Sequence, residues 1–199
     1  MNARILLPVA LLLSATLPAQ GGSISWETDF DAALARAKAE NRLLFVAFNM
    51  DGERANDEAV ALHYRDPAIV ALSKNTVNLF GSIGNHGKKC TRVAGLTCEQ
   101  HQRIEMRARE YLLKIPEGEP VIAPQHLFAT PDGKVLLSCV YQITVGELEW
   151  LFAEALKKHD PEFKYELKGR TRAPQPAVFG YERPPEPAEP PPTPEEGAQ

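Results

Sequence analysis

Apolar and polar positions alternate along this chain between the period of a helix and that of a strand. Phe30, Ala33, Leu34 and Ala37 recur on one helical face, behind a Thr28 that can cap with Asp31 three residues on; Asn41 closes the stretch. Leu43–Phe48 is then an unbroken apolar run of strand length, the pattern of a strand covered on both faces. A second helix is predicted over Gly52–His63, and a short one after Asp66, where Pro67 suits the first turn. Thr76–Ile83 reads as a strand. Thr97 opens a further helix, with Gln100 at the reciprocal capping position and Ile104, Ala108, Tyr111, Leu112 and Ile115 as its apolar stripe. Gln125–Thr130 and Val135–Tyr141 are strands joined through the turn Pro131-Asp132-Gly133-Lys134. The last helix begins with the box Thr144-x-x-Glu147 and turns Leu148, Leu151, Phe152, Ala155 and Leu156 inward. The order helix, strand, helix, strand, helix, hairpin, helix describes one α/β domain over residues 23–165, with a central sheet flanked by helices.

The two ends differ from this middle. Arg4 precedes the apolar run Ile5–Leu17, and small residues lead into Ala19-Gln20-Gly21-Gly22, so residues 1–20 are expected to be a signal peptide. The run is shorter than the roughly 20 apolar residues of a membrane span, and no cysteine stands near the cleavage point to carry a lipid. Export to a periplasm or the extracellular space follows as an expectation. Residues 173–199 hold more than half of the prolines, in runs such as Pro190-Pro191-Pro192 spaced by glutamate and alanine, and read as a disordered tail of polyproline II character. A net charge of −4 with no basic stripe excludes a nucleic-acid partner, and no later segment is apolar enough to span a membrane. Of three cysteines, Cys139 sits in the apolar run Val135–Val140 and reads as a buried core residue.

Four segments resemble the thioredoxin-like superfamily, in particular its exported branch. They are the helix entry Trp26-x-x-Asp-Phe-x-x-Ala-Leu, the strand Leu43–Phe48, the connection Asp66-Pro67-Ala68-Ile69-Val70 followed by Val77, and Ala123-Pro124 leading through Gln125–Thr130 into Asp132-Gly133-Lys134. The resemblance covers about Trp26 to His159. It implies a thioredoxin-like mixed sheet, a cis bond at Ala123-Pro124, and a cleft there formed with Asp51, Arg54 and His126. It also exposes a departure. Where the family carries Cys-x-x-Cys, this chain has Asp51-Gly52-Glu53-Arg54, and its closer cysteine pair, Cys90 and Cys98, lies some forty positions downstream.

Thiol–disulfide exchange needs an attacking thiolate and a resolving cysteine, which Asp51-Gly52-Glu53-Arg54 lacks. Asp51 and Glu53 instead suit the N-terminus of a helix. Cys90 and Cys98 frame an insertion, residues 84–97, and allow three readings. A structural disulfide between them would contribute roughly 2–3 kcal/mol on the chain-entropy model. A displaced redox pair would use Cys98, held in the first turn of a capped helix, as attacker, Cys90 as resolver and His101 as base. A zinc or copper site would draw on His86, Cys90, Cys98 and His101, spaced His-x3-Cys-x7-Cys-x2-His. His126 is expected on the sheet as a half-buried strand residue or a cleft residue, with His63 and His159 as ordinary helix-end residues. The favoured expectation is a non-catalytic module without a cofactor, holding a protein or peptide beside Pro124.

Overall fold

The computed structural model describes residues 22–50, 52–83, 93, 95–115, 122–169, 173–174 and 177–179. The expected signal peptide, Asp51, most of the insertion with His86 and Cys90, and the end of the tail lie outside the described residues. Six strands form one mixed sheet in the order β1-β3-β2-β4-β5-β6. They are β1 Trp26–Glu27, β2 Leu43–Met50, β3 Thr76–Ile83, β4 Gln125–Ala129, β5 Val135–Val140 and β6 Ala177–Phe179. β2 runs parallel to β3 and antiparallel to β4, so the apolar run at its heart is paired on both edges. Both of its faces are covered as well. Helices α1 (Phe30–Glu40) and α4 (Cys98–Ala108) pack together on one side, and α3 (Pro67–Ser73) and α5 (Val145–His159) on the other. Phe152 of α5 lies against Phe45 and Phe128 at centroid distances of 4.5 and 4.8 Å, which makes this aromatic group the centre of that half of the core.

The helix boundaries follow local chemistry. Asp29, not Thr28, caps α1: its backbone is extended and its carboxylate accepts from Ala32 N at 2.8 Å. Asn41 closes the helix in the left-handed region at φ 49°. Asp66 caps α3 ahead of Pro67, and both capping boxes, Thr97/Gln100 and Thr144/Glu147, are formed. The second helix is shorter than its periodicity suggests. α2 spans Arg54–Ala61, and a 3-10 turn, His63–Arg65, follows it. Beyond Ala108 the α4 stripe continues through a π turn, Arg109–Leu113, ending at Lys114 with φ 56°.

The domain also reaches farther than residue 165. Ala177–Phe179, expected within the disordered tail, pairs antiparallel with β5 as the sixth strand. An unpaired β5 would present open N–H and C=O groups, and a short apolar run within reach covers them. The chain is guided there by Glu149, buried in α5, whose Oε1 accepts from Tyr165 Oη at 2.7 Å and Lys168 N at 3.0 Å.

α4 can approach the sheet closely only because residue 81 has no side chain. A Cβ placed on Gly81 would sit 2.9 Å from Glu105 Cα. Gly81→Ala is therefore expected to push α4 outward and lower the unfolding free energy by about 1–3 kcal/mol, measured by urea denaturation followed by circular dichroism.

Candidate functional site at the Pro124 end of the sheet

β2 and β5 end, and β4 begins, at one end of the sheet. There the Ala123–Pro124 peptide bond is cis, and Tyr141 N donates to Pro124 O at 2.8 Å, tying the start of β4 to the end of β5. The turn after β2 is held from beneath by one amide. Asn56, fully buried in α2, accepts from Met50 N at 2.9 Å and donates through Nδ2 to Glu53 Oε2 at 2.8 Å. Glu53 precedes α2 without capping it through its side chain, and Arg54 opens the helix exposed. Asp51, expected beside them, lies outside the described residues.

Under this turn the core is polar. His126 is neither half-buried nor open to a cleft: it is 1% exposed, and its Nε2 lies 2.9 Å from the hydroxyl of buried Tyr64. Asn49, at the end of β2, makes a weak contact to the same hydroxyl at 3.5 Å. Register explains the burial, since His126 pairs with Ala47 in the most enclosed stretch of β2 and lies parallel to the Phe45 ring, 6.2 Å away. Burial, aided by neighbouring His63, pushes the His126 pKa down to about 3. Burial likewise raises Tyr64 and lowers His63. His63, expected as an ordinary helix-end residue, does follow the end of α2 but is buried. Among the described residues, His63 Nδ1, His126 Nδ1 and Asn49 Oδ1 have no hydrogen-bond partner. Sequence reading missed Asn49, Tyr64 and Asn56; the polar Asn49 at the end of an apolar run was the one available signal.

Apolar side chains are exposed here beside the charged Glu53 and Arg54. Of the five large apolar side chains exposed among the described residues, Met50, Ile122 and Tyr141 stand at or next to the strand ends and Leu62 follows α2. The fifth, Met106, lies on α4. Beside Tyr141 opens a groove of about 480 Å³, lined by Glu58, Leu62, His63, Gln142, Ile143, Thr144, Val145 and Glu147.

Of the described cysteines, Cys139 pairs with His126 across the β4–β5 ladder. Cys98 heads α4 behind the Thr97 cap and is partly exposed, while Cys90 and His86 lie outside the described residues. His101 is fully buried against the edge of β3, its Nδ1 3.3 Å from Phe80 O and its ring edge-on to Phe80. That placement anchors α4 to an edge carbonyl rather than offering a base at the surface. Cys139 is buried in β5, and burial together with nearby Glu147 pushes its thiol up to about 11. Among the described residues no three His, Cys, Asp or Glu side chains gather as a metal centre requires, and no helix is long and apolar enough to cross a membrane.

No family model matches the chain, and no curated protein matches it. Among solved structures, one described as DsbH Oxidoreductase superposes with a TM-score of 0.52 at 15% identity, over 78% of this chain and 96% of that one. The fold is thioredoxin-like.

The buried histidines make stability depend on pH. An imidazole held neutral in the fold takes up its proton on unfolding once the pH falls below about 6.5. Stability is therefore complete above that value and lost as pH falls toward the folded-state pKa of about 3 for His126. Each such group contributes a slope of up to about 1.4 kcal/mol per pH unit. His126→Gln is expected to flatten the profile between pH 6.5 and 4, as read by denaturant titrations across that range; an unchanged slope would refute the assignment.

Proposed function

We propose that this chain is an exported thioredoxin-fold binding module, not a dithiol enzyme, and that it holds an extended protein segment at the Pro124 end of the sheet. The observation that carries this reading is the set of exposed apolar side chains: Met50 ends β2 beside the position where the fold's thiols would stand, Ile122 and Tyr141 adjoin Pro124, and Leu62 lines the groove next to them. That position holds Asp51-Gly52-Glu53-Arg54. Exposed apolar side chains gathered at one place mark interaction surfaces, whereas single ones are ordinary. The buried Asn56 amide and the His126–Tyr64 pair supply a preorganised floor instead of a nucleophile. In this reading Cys90 and Cys98 form a structural disulfide that closes the insertion.

A second reading, thiol–disulfide exchange, is favoured by one feature: Cys98 stands partly exposed in the first turn of α4 behind a complete capping box. The similar structure named an oxidoreductase is consistent with it. In that reading Cys98 would act with Cys90, and zinc or copper on this pair is a further alternative.

Two measurements separate these. Reduced, carboxamidomethylated α-lactalbumin, a permanently unfolded chain, is expected to bind the protein saturably. Ile122→Asp and Tyr141→Asp should each weaken that binding by about tenfold or more, while Met106→Asp leaves it unchanged. Equal effects of all three, or no binding, would sink the module. Alkylation and mass spectrometry in graded thiol buffers should find a Cys90–Cys98 bond that resists all but strong reductant. Opening between about −120 and −270 mV, the range of dedicated oxidoreductases, would instead favour exchange.

A further inference from the structure

The groove beside Tyr141 has features the binding-module reading does not use. One wall comes from the end of α2 and the turn after it, with Glu58, Leu62 and His63; the other comes from the β5–α5 connection, with Gln142, Ile143, Thr144, Val145 and Glu147. Its lining joins an apolar strip, Leu62, Ile143 and Val145, to two carboxylates. Neither carboxylate forms an ion pair among the described residues, and both are engaged by uncharged donors. Glu58 Oε2 accepts from Gln142 Nε2 at 3.1 Å. Glu147 Oε2 accepts from Thr144 N at 2.7 Å and Thr144 Oγ1 at 2.9 Å. Charge at the groove is therefore hydrogen-bonded but not neutralised. Among the described residues of α2, its approach and the turn after it, Arg54 and Arg65 stand against Glu53, Asp57, Glu58 and Asp66, so with Glu147 the balance is negative.

An independent observation points to the same ligand. His63 lines the groove, is 5% exposed, and among the described residues its Nδ1 has no partner. A neutral imidazole accepts a hydrogen bond through one nitrogen. The groove thus offers a negative acceptor and an aliphatic surface, with the His63 ring in its wall.

We infer that this groove is a subsite for a lysine or arginine side chain of the bound segment. The aliphatic stem lies along Leu62, Ile143 and Val145, and the cationic head meets the Glu58 carboxylate beside the His63 ring. Long basic side chains have this division, a stem that packs on apolar surface and a head that seeks charge-assisted hydrogen bonds. Glu147 contributes field rather than contact, because its role at the start of α5 occupies it. The inference rests on the binding-module reading, and it narrows the partner to a segment that pairs a basic residue with apolar ones.

The test uses n-butylguanidinium and its uncharged analogue n-butylurea, titrated into the isotope-labelled protein and followed by amide chemical shifts. The guanidinium is expected to move the Leu62, His63, Gln142 and Ile143 signals saturably, with roughly tenfold tighter binding than the urea. Glu58→Gln should remove that preference while leaving the fold's spectrum otherwise intact. Equal response to both probes, no response at these positions, or a preference that survives Glu58→Gln would overturn the inference. If unfolded α-lactalbumin still binds in that case, the inference alone has failed. If instead the guanidinium preference holds and α-lactalbumin does not bind, the failure belongs to the binding-module reading.

Discussion

Burial of β2 on both edges and both faces is the constraint on which the rest of this structure depends. Leu43–Phe48 has no polar side chain to spare, so it occupies the middle of the sheet between β3 and β4, under α1 and α4 on one side and α3 and α5 on the other. Enclosing six consecutive apolar residues is favourable by roughly 1.5–3 kcal/mol for each large side chain. The cost is that the strand must end abruptly where the chain returns to solvent. Asn49 marks that end. The side chains that gather around it, Tyr64 from the 3-10 turn and His126 from β4, arrive there because register and packing place them, not because they are neighbours in sequence.

That arrangement shapes what the Pro124 end can do. A histidine and a tyrosine kept neutral by burial serve as a rigid polar floor and are poor acids or bases for surface chemistry at ordinary pH. Asn56 performs the corresponding task at the turn, joining Met50 to Glu53 through a single amide. In the proposed reading, function moves from the floor to the rim, where apolar side chains stand exposed and a groove bearing Glu58 and Glu147 opens beside them.

Much of the fold was legible along the chain. The β2 run, the Thr97 and Thr144 capping boxes and the Asp132-Gly133 turn each have a short-range physical signature, and each produced its element within a few residues. The errors have local causes too. Asp29 outcompeted Thr28 as a cap because a carboxylate one residue nearer the helix met the free amide of Ala32. Ala177–Phe179 looked like tail because three apolar residues amid prolines carry no periodicity, and only the open edge of β5 gave them a place.

By itself, the sequence determined the alternation of helix and strand, the resemblance to a thioredoxin-like domain and the absence of a Cys-x-x-Cys, because caps, turns and apolar periods act over a few residues. The tertiary structure alone decided that His126 and His63 are buried, that His101 anchors α4 to the edge of β3, and that Met50, Ile122 and Tyr141 stand at one end of the sheet with Leu62 in the groove next to them. Burial and proximity are set by contacts between residues tens of positions apart. A histidine in a strand reads the same in the chain whether a phenylalanine or water lies against it.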